Sequence, residues 1–160
     1  MGPMVRPARV EDAETIAAFN RAMAVETEDL ALQPERASAG VRAVFADPTK
    51  GFYLIAEAEG APVGQVMVTP EWSDWRDGYF WWVQSVYVRP AARRRGVFRA
   101  LLEALELRAA ANPQVRGLRL YVHRHNANAR RVYVRLGWRR ADYDLYERDL
   151  TPGSTSADDA

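Results

Sequence analysis

Apolar positions in this chain recur with two different periods, and the alternation between them outlines a fold before any residue has a role. From about Asp12 to Met23, Ile16, Phe19, Asn20 and Met23 return at helical spacing, which predicts an amphipathic helix. Pro34 opens a second helix to about Phe45, with Ala37, Val41, Val44 and Phe45 on one side, and the turn-forming DPTKG ends it. A third, from Gly96 to about Ala111, aligns Phe98, Leu101, Leu102 and Leu105. A fourth runs from about Asn126 to Leu136 and stops at Gly137. The remaining runs are extended. Residues 4–9 read as a strand, and 51–58 and 63–70 as a hairpin about the turn EGAP. WSDWRDG reads as a loop, and YFWWVQSVYV (79–88) is apolar at almost every position, as expected of a central strand covered on both faces. LRLYV (118–122) and WRRADYDLYERDL (138–150) complete the strands. The order β-α-α-β-β-β-α-β-α-β predicts an α/β fold with a mixed central sheet flanked by helices.

Composition narrows this only slightly. A length of 160 residues favours one domain, expected over 4–150, while TPGSTSADDA (151–160) is small, polar and acidic and is expected to be a disordered tail. Met1 to Pro3 read either as native residues or as an expression remnant ahead of a natural start at Met4. With no cysteine, disulfides and thiolate chemistry are excluded. The start has no apolar signal core and no run reaches the 18 or so apolar residues of a membrane helix, so a cytoplasmic protein without a membrane partner is expected.

Charge is partitioned. Residues 1–88 carry 7 basic and 13 acidic side chains, net −6; residues 89–140 carry 14 and 2, net +12; residues 141–160 carry 1 and 6, net −5. Such a field favours an anion at the middle segment. Its focus is VRPAARRRGVFR, where Arg93, Arg94, Arg95 and Arg99 surround Gly96 at the start of the third helix. A helix N-terminus offers amides without intrahelical acceptors and the positive end of the macrodipole, so a pyrophosphate suits it. Taken alone, the stretch reads equally well as a solvated turn.

This stretch resembles the acyl-CoA loop of the GCN5-related N-acetyltransferase (GNAT) superfamily, in which Arg or Gln, two residues, Gly, one residue, and Gly or Ala follow a strand ending in valine. Val88, Pro90, Arg93, Gly96 and Val97 fit it, while Phe98 stands where the family prefers a small residue. Phe98 is expected to join the Leu101, Leu102 and Leu105 stripe beneath the sheet. A second motif resembles the family independently: Asn126, Ala129, Tyr133, Gly137 and Trp138 match its spacing of Asn, Ala, Tyr, Gly and an aromatic. The likeness covers roughly residues 4 to 150.

The resemblance implies acetyl transfer from acetyl-CoA to a primary amine of a small molecule or peptide, without a metal. It implies that the long strand splays from its neighbour near 86–88. The main chain of Val86, Tyr87 and Val88 would then meet the pantetheine and acetyl carbonyl, and Arg93, Arg94, Arg95, Gly96, Val97, Phe98 and Arg99 the pyrophosphate. Asn126 would bind the pantetheine arm, Arg131 the nucleotide phosphates, and Tyr133 would be the general acid for the departing thiolate. No base is evident, because Trp82 and Gln84, on the acceptor face of the strand, cannot take a proton near neutrality. Glu26, Glu28, Glu71 and Asp74 border the acceptor cleft in similar proteins and are candidates to bind a cationic amine or relay its proton. Each reads equally as a solvated or capping carboxylate.

His123 and His125, without clustered carboxylates, make no metal site. Nucleic-acid binding would suit the +12 segment, but recognition-helix and aromatic-sheet signatures are lacking, and no nucleic-acid partner is expected. A rival reading keeps the CoA cradle in a non-catalytic sensor. Many relatives pair, so a homodimer is an expectation of the resemblance.

Overall fold

A computed structural model describes residues 2–150. The chain divides into two compact units, the first ending at Tyr121 and the second beginning at Val122.

The first unit is built on five strands in sequential order: β1 (Met4–Pro7), β2 (Phe52–Ala58), β3 (Ala61–Ser73), β4 (Gly78–Val88) and β5 (Val115–Leu120). The first four are antiparallel and β5 runs parallel to β4, making the sheet mixed. Strand alternation divides the sheet between two helical layers. Tyr53 and Ile55 face α1 (Ala13–Glu28) and α2 (Pro34–Ala46) in a core with Ala13, Ile16, Ala17, Val41 and Val44. The intervening Leu54 and Ala56 are equally buried and point the other way, toward α3 (Val97–Ala110). There Leu101, Leu102 and Leu105 are at most 1% exposed, and burying each leucine contributes about 2–3 kcal/mol. Gly64 lets α3 approach: a Cβ there would stand 2.8 Å from the Tyr87 carbonyl oxygen and 3.1 Å from Val97 Cγ1.

The N-terminal strand is pinned by charge. Arg6 donates to both carboxylate oxygens of Asp12 at 2.7 and 2.9 Å and to Glu57 at 2.8 Å. Asp12, mostly buried, is held below the usual carboxylate range chiefly by that guanidinium.

Several boundaries differ from the sequence pattern. The first helix continues through Glu28, because nothing in AVETE breaks it until Asp29 turns left-handed at φ 50°. WSDWRDG is only partly a loop: β3 extends to Ser73, pairing with Gly78, and a 3-10 turn spans Asp74–Arg76. The fifth strand begins at Val115, and Tyr121 lies past its end. Phe98 is half-exposed, so Val97 heads the buried stripe of α3 instead.

The second unit contains α4 (Ala127–Arg135). The strand expected over 138–150 is absent: no residue there is in strand conformation, and Tyr143, Leu145, Tyr146 and Leu150 are exposed. A strand is stabilised mainly by cross-strand neighbours, and this segment has no ladder partner among the described residues. The expected tail at 151–160 lies outside the described residues.

Candidate functional site

The distinctive feature of the first unit is where β4 loses its neighbour. Its pairing with β5 ends at Val83↔Leu120, yet β4 runs five residues further against β3 alone. The register on the β3 side steps from Val68↔Val83 to Met67↔Ser85, leaving Gln84 as the extra residue of a bulge. Bulges increase local twist and re-aim side chains. Beyond it, Arg89 donates its amide to Val63 at 2.9 Å. Alternation along an antiparallel ladder therefore turns the amide and carbonyl of Val88, and of Val86 two residues earlier, to the opposite, open edge. The Val88 carbonyl accepts from Arg93 Nε at 2.9 Å.

The chain then enters the arginine loop. Arg94 and Gly96 are left-handed, at φ 62° and 79°, a conformation glycine adopts freely and arginine rarely. Gly96 is the N-cap of α3, with neither a side-chain cap nor an acidic residue in the first turn. Arg94 and Arg95 are exposed and meet no carboxylate among the described residues. Arg99 is occupied by Glu103 at 2.6 Å, and Arg93 by Glu26 of α1 at 2.5 Å. Arg93 also lies over the Tyr87 ring, and Arg89 over Phe19, whose ring is 5.1 Å from that of Tyr87. The loop is thereby fastened to both α1 and β4. Burial, and secondarily the Glu26 charge, pushes the Tyr87 phenol up.

The other residues singled out on the strands lie in separate places. Trp82 Nε1 donates to Glu71, which also accepts from Arg119 at 3.5 Å, and the Trp82 ring stacks on Tyr121 at 4.5 Å. Glu71 is thus tied to its own sheet. Gln84 Nε2 donates to Thr69 Oγ1 at 2.8 Å. Glu28 instead lines a cavity of about 330 Å³ beside α1, together with Asn20, Met23, Tyr53, Met67 and Ser85. Sequence reasoning missed this cavity and also Gln65, which is fully buried on β3 and donates to Oδ1 of the cavity-lining Asn20 at 2.6 Å. A glutamine inside the otherwise apolar VGQVMV run was the available signal.

In the second unit the spacing of the second motif has a local explanation. Asn126 Oδ1 caps α4, accepting from the Ala129 amide at 3.0 Å. At the other end Gly137 is left-handed at φ 86° and donates to Val134, while Trp138 donates to Tyr133. This is the Schellman closure, complete with its accompanying hydrophobic contact, since the Tyr133 and Trp138 rings lie 5.7 Å apart. Burial pushes the Tyr133 phenol up to about 12. Arg131 is exposed and donates to Asn128. His123 and His125 lie side by side, ring centroids 5.3 Å apart, and no metal-holding cluster occurs among the described residues.

Comparison with known proteins agrees with this architecture. Residues 14–138 match the Acetyltransferase (GNAT) family, and the chain belongs to that family. It is similar to the solved structure of a possible acetyltransferase from Clostridium difficile 630, at 38% identity and TM-score 0.89, covering 94% of this chain and 99% of that one. An aminoglycoside N-acetyltransferase solved in complex with CoA shares the fold at 17% identity and TM-score 0.75, covering 94% of this chain and 98% of that one. Over 89 residues the chain is 34% identical to the mycothiol acetyltransferase of Kineococcus radiotolerans, a match over 56% of this chain and 27% of that protein. The matched stretch thus spans about a quarter of that relative's length.

Proposed function

We propose that this chain transfers an acetyl group from acetyl-CoA to a primary amine of a small molecule or peptide. The observation that carries the reading is the pairing of an uncapped helix start with an open strand edge in one unit. At Gly96 the first-turn amides of α3 and the exposed Arg94 and Arg95 suit a diphosphate, and no side-chain cap or carboxylate among the described residues competes for them. The main-chain groups of Val86 and the Val88 amide, on the open edge, suit the amide-bearing pantetheine arm and the acetyl carbonyl, whose developing oxyanion an amide would stabilise. Arg93, held by Val88 and Glu26, orders the loop more than it grips phosphate.

In the reaction the lone pair of the neutral amine attacks the thioester carbonyl carbon, the C–S bond breaks, and the thiolate takes a proton from Tyr133. The amine's surplus proton passes to solvent and the phenol is reprotonated, giving the N-acetyl product and free CoA. A phenol raised to about 12 is protonated at neutral pH and able to serve as that acid. Asn126 and Arg131, on the same helix as Tyr133, remain candidates for CoA contacts through the Asn126 amide nitrogen and the Arg131 guanidinium.

The acceptor is drawn by the acidic end of α1. Glu26, Glu28 and Asp29 crowd a helix C-terminus that has no basic residue in its last turn, against the preference of the helix dipole. Such local conflict is characteristic of functional positions. With Glu26 committed to Arg93 and Glu71 to Trp82 and Arg119, Glu28 is left to attract an ammonium group. Release of free CoA thiol with a panel of amines tests the proposal. Time-dependent release matched by N-acetyl product is expected, and acetyl-CoA binding without release for any amine would leave a CoA-binding module.

A further inference from the structure

The cavity beside α1 narrows the chemistry of the acceptor, on the reading that acetyl transfer is the activity. On the sheet side it rests on one row of residues across three strands: Tyr53 on β2 pairs with Met67 on β3, and Met67 pairs with Ser85 on β4. Met23, Thr27 and Glu28 of α1 face this row. Asp29 then turns left-handed at φ 50°, and the connection to α2 brings Leu30 and Leu32 to the cavity wall. Ser85 fixes where the cavity lies relative to the reaction. It stands beside the bulged Gln84 and directly precedes Val86, whose main chain the proposed reaction sets against the acetyl carbonyl. A guest of this cavity therefore borders the thioester.

The lining is mainly apolar. Leu30 and Leu32 are 48% and 37% exposed, so an apolar guest would take both out of water. Met23 and Met67 add flexible thioethers, which adapt to an apolar guest and make favourable contacts with aromatic rings. Two of the polar side chains are already engaged: Thr27 Oγ1 donates to the Met23 carbonyl at 2.9 Å, and Asn20 Oδ1 accepts from Gln65 at 2.6 Å. Among the described residues that line the cavity, Glu28 alone is charged. It matches one ammonium group. A second positive charge on the guest would be desolvated against leucine and methionine without a partner.

We infer that the acceptor is a small monoamine, with a single primary ammonium group drawn by Glu28 and a compact apolar body lying against Met23, Leu30, Leu32 and Met67. The cavity's 330 Å³ is the liquid volume of about eleven waters, which suits a guest of about ten non-hydrogen atoms. Polycations and hydroxyl-rich amines are disfavoured.

Three probes separate these features: 2-phenylethylamine; ethanolamine, which keeps the ammonium group and lacks the apolar body; and spermidine, which multiplies the charge. Calorimetric titration of the whole protein, alone and with free CoA present, reads binding without turnover. 2-Phenylethylamine is expected to bind about ten-fold more tightly than ethanolamine, the return on burying roughly 55 Å² of ring surface. It should also bind more tightly than spermidine at physiological salt, where attraction between exposed charges is screened. Glu28→Gln should weaken 2-phenylethylamine binding about three-fold, the scale of an exposed ion pair. Leu30→Ser combined with Leu32→Ser should weaken it about five-fold. Should far-UV circular dichroism show that pair unfolded, Leu30→Ser, at the more exposed position, decides alone at about two-fold. Equal affinities for 2-phenylethylamine and ethanolamine, tighter binding of spermidine, no binding of 2-phenylethylamine at millimolar concentration, or indifference to either the carboxylate or the leucine substitution would overturn the inference. Acetyl transfer is read separately, by release of CoA thiol from acetyl-CoA with the same amines. The predicted ranking without release removes the transferase reading and keeps the cavity's preference, and release without the ranking does the reverse.

Discussion

The two helices whose first turns drew attention in the sequence begin in opposite ways. At α4 the start is closed: Asn126 lends its side-chain oxygen to the Ala129 amide, and Gly137 and Trp138 seal the far end. At α3 the start is open: Gly96 offers no side chain, no acid occupies the first turn, and arginines surround amides that their charge does nothing to stabilise. Both motifs have family-like spacing, yet in one the matching residues are largely spent on the helix and in the other they are left for an anion. Spacing identified both motifs, and hydrogen-bond accounting separates their uses. Of the five matched positions, Asn126 and Gly137 close the two ends of α4, and the acid role is the one proposed for Tyr133.

The comparison breaks most visibly at that residue. Tyr133→Phe keeps the ring beside Trp138 and removes the acid, so kcat should fall about 100-fold while acetyl-CoA affinity changes less than about two-fold. Steady-state rates and calorimetry check the two halves, and unchanged kcat would return Tyr133 to packing alone. Because burial raises the phenol to about 12, kcat should show no decline owed to it below about pH 11. The stability linkage has the matching sign. A proton held more tightly in the folded state gives stability that is complete below the unfolded value near 10 and is lost as pH rises through the folded value of about 12. Alkaline unfolding of Tyr133→Phe should be correspondingly less steep.

Opening the other side of the comparison requires removing charge without disturbing the helix. Arg94→Ala combined with Arg95→Ala should weaken acetyl-CoA binding about ten-fold and flatten its dependence on salt, while kcat at saturation stays within about two-fold. An unaltered dissociation constant would place the diphosphate elsewhere.

These contrasts were unevenly legible in the sequence. Leu101, Leu102 and Leu105 fixed the buried face of α3 because helical periodicity reports burial directly. The bulge at Gln84 was invisible: an extra residue on one strand matters only relative to its partner, and YFWWVQSVYV is apolar on both faces, so no alternation exists to be interrupted. Gly64 likewise gains its meaning from Val97 and Tyr87, which are remote in sequence. The expectation of a strand over 138–150 failed for the same reason, since a strand needs a neighbour that its own pattern cannot supply. At the candidate site, residue types were readable but commitments were not. Nothing local shows that Glu71 is tied to Trp82 and Arg119, that Glu26 is tied to Arg93, or that Glu28 is left over.

A smaller effect sharpens the account of α4. Asn126→Ala should cost about 1 kcal/mol in urea denaturation, whereas Asn126→Asp, an equally good cap, should cost nearly nothing. If the side chain also holds CoA through its amide nitrogen, the aspartate variant alone will lose affinity at full stability. That separation of stability from binding is what the capping geometry predicts can be measured.

The smallest expected effect lies at the pin between α1 and the arginine loop. Glu26 and Arg93 are both more than a third exposed, so their ion pair is screened and worth well under 1 kcal/mol. Glu26→Gln should lower Tm by no more than about 2 °C. The Arg93 guanidinium would still donate to the Val88 carbonyl through Nε, but its outer nitrogen would be released beside the open start of α3. Acetyl-CoA affinity should therefore rise about two-fold, with most of the gain lost at high salt. A fall in affinity would mean that Glu26 arranges the loop for binding, and the open start of α3 would then depend on α1 for its shape.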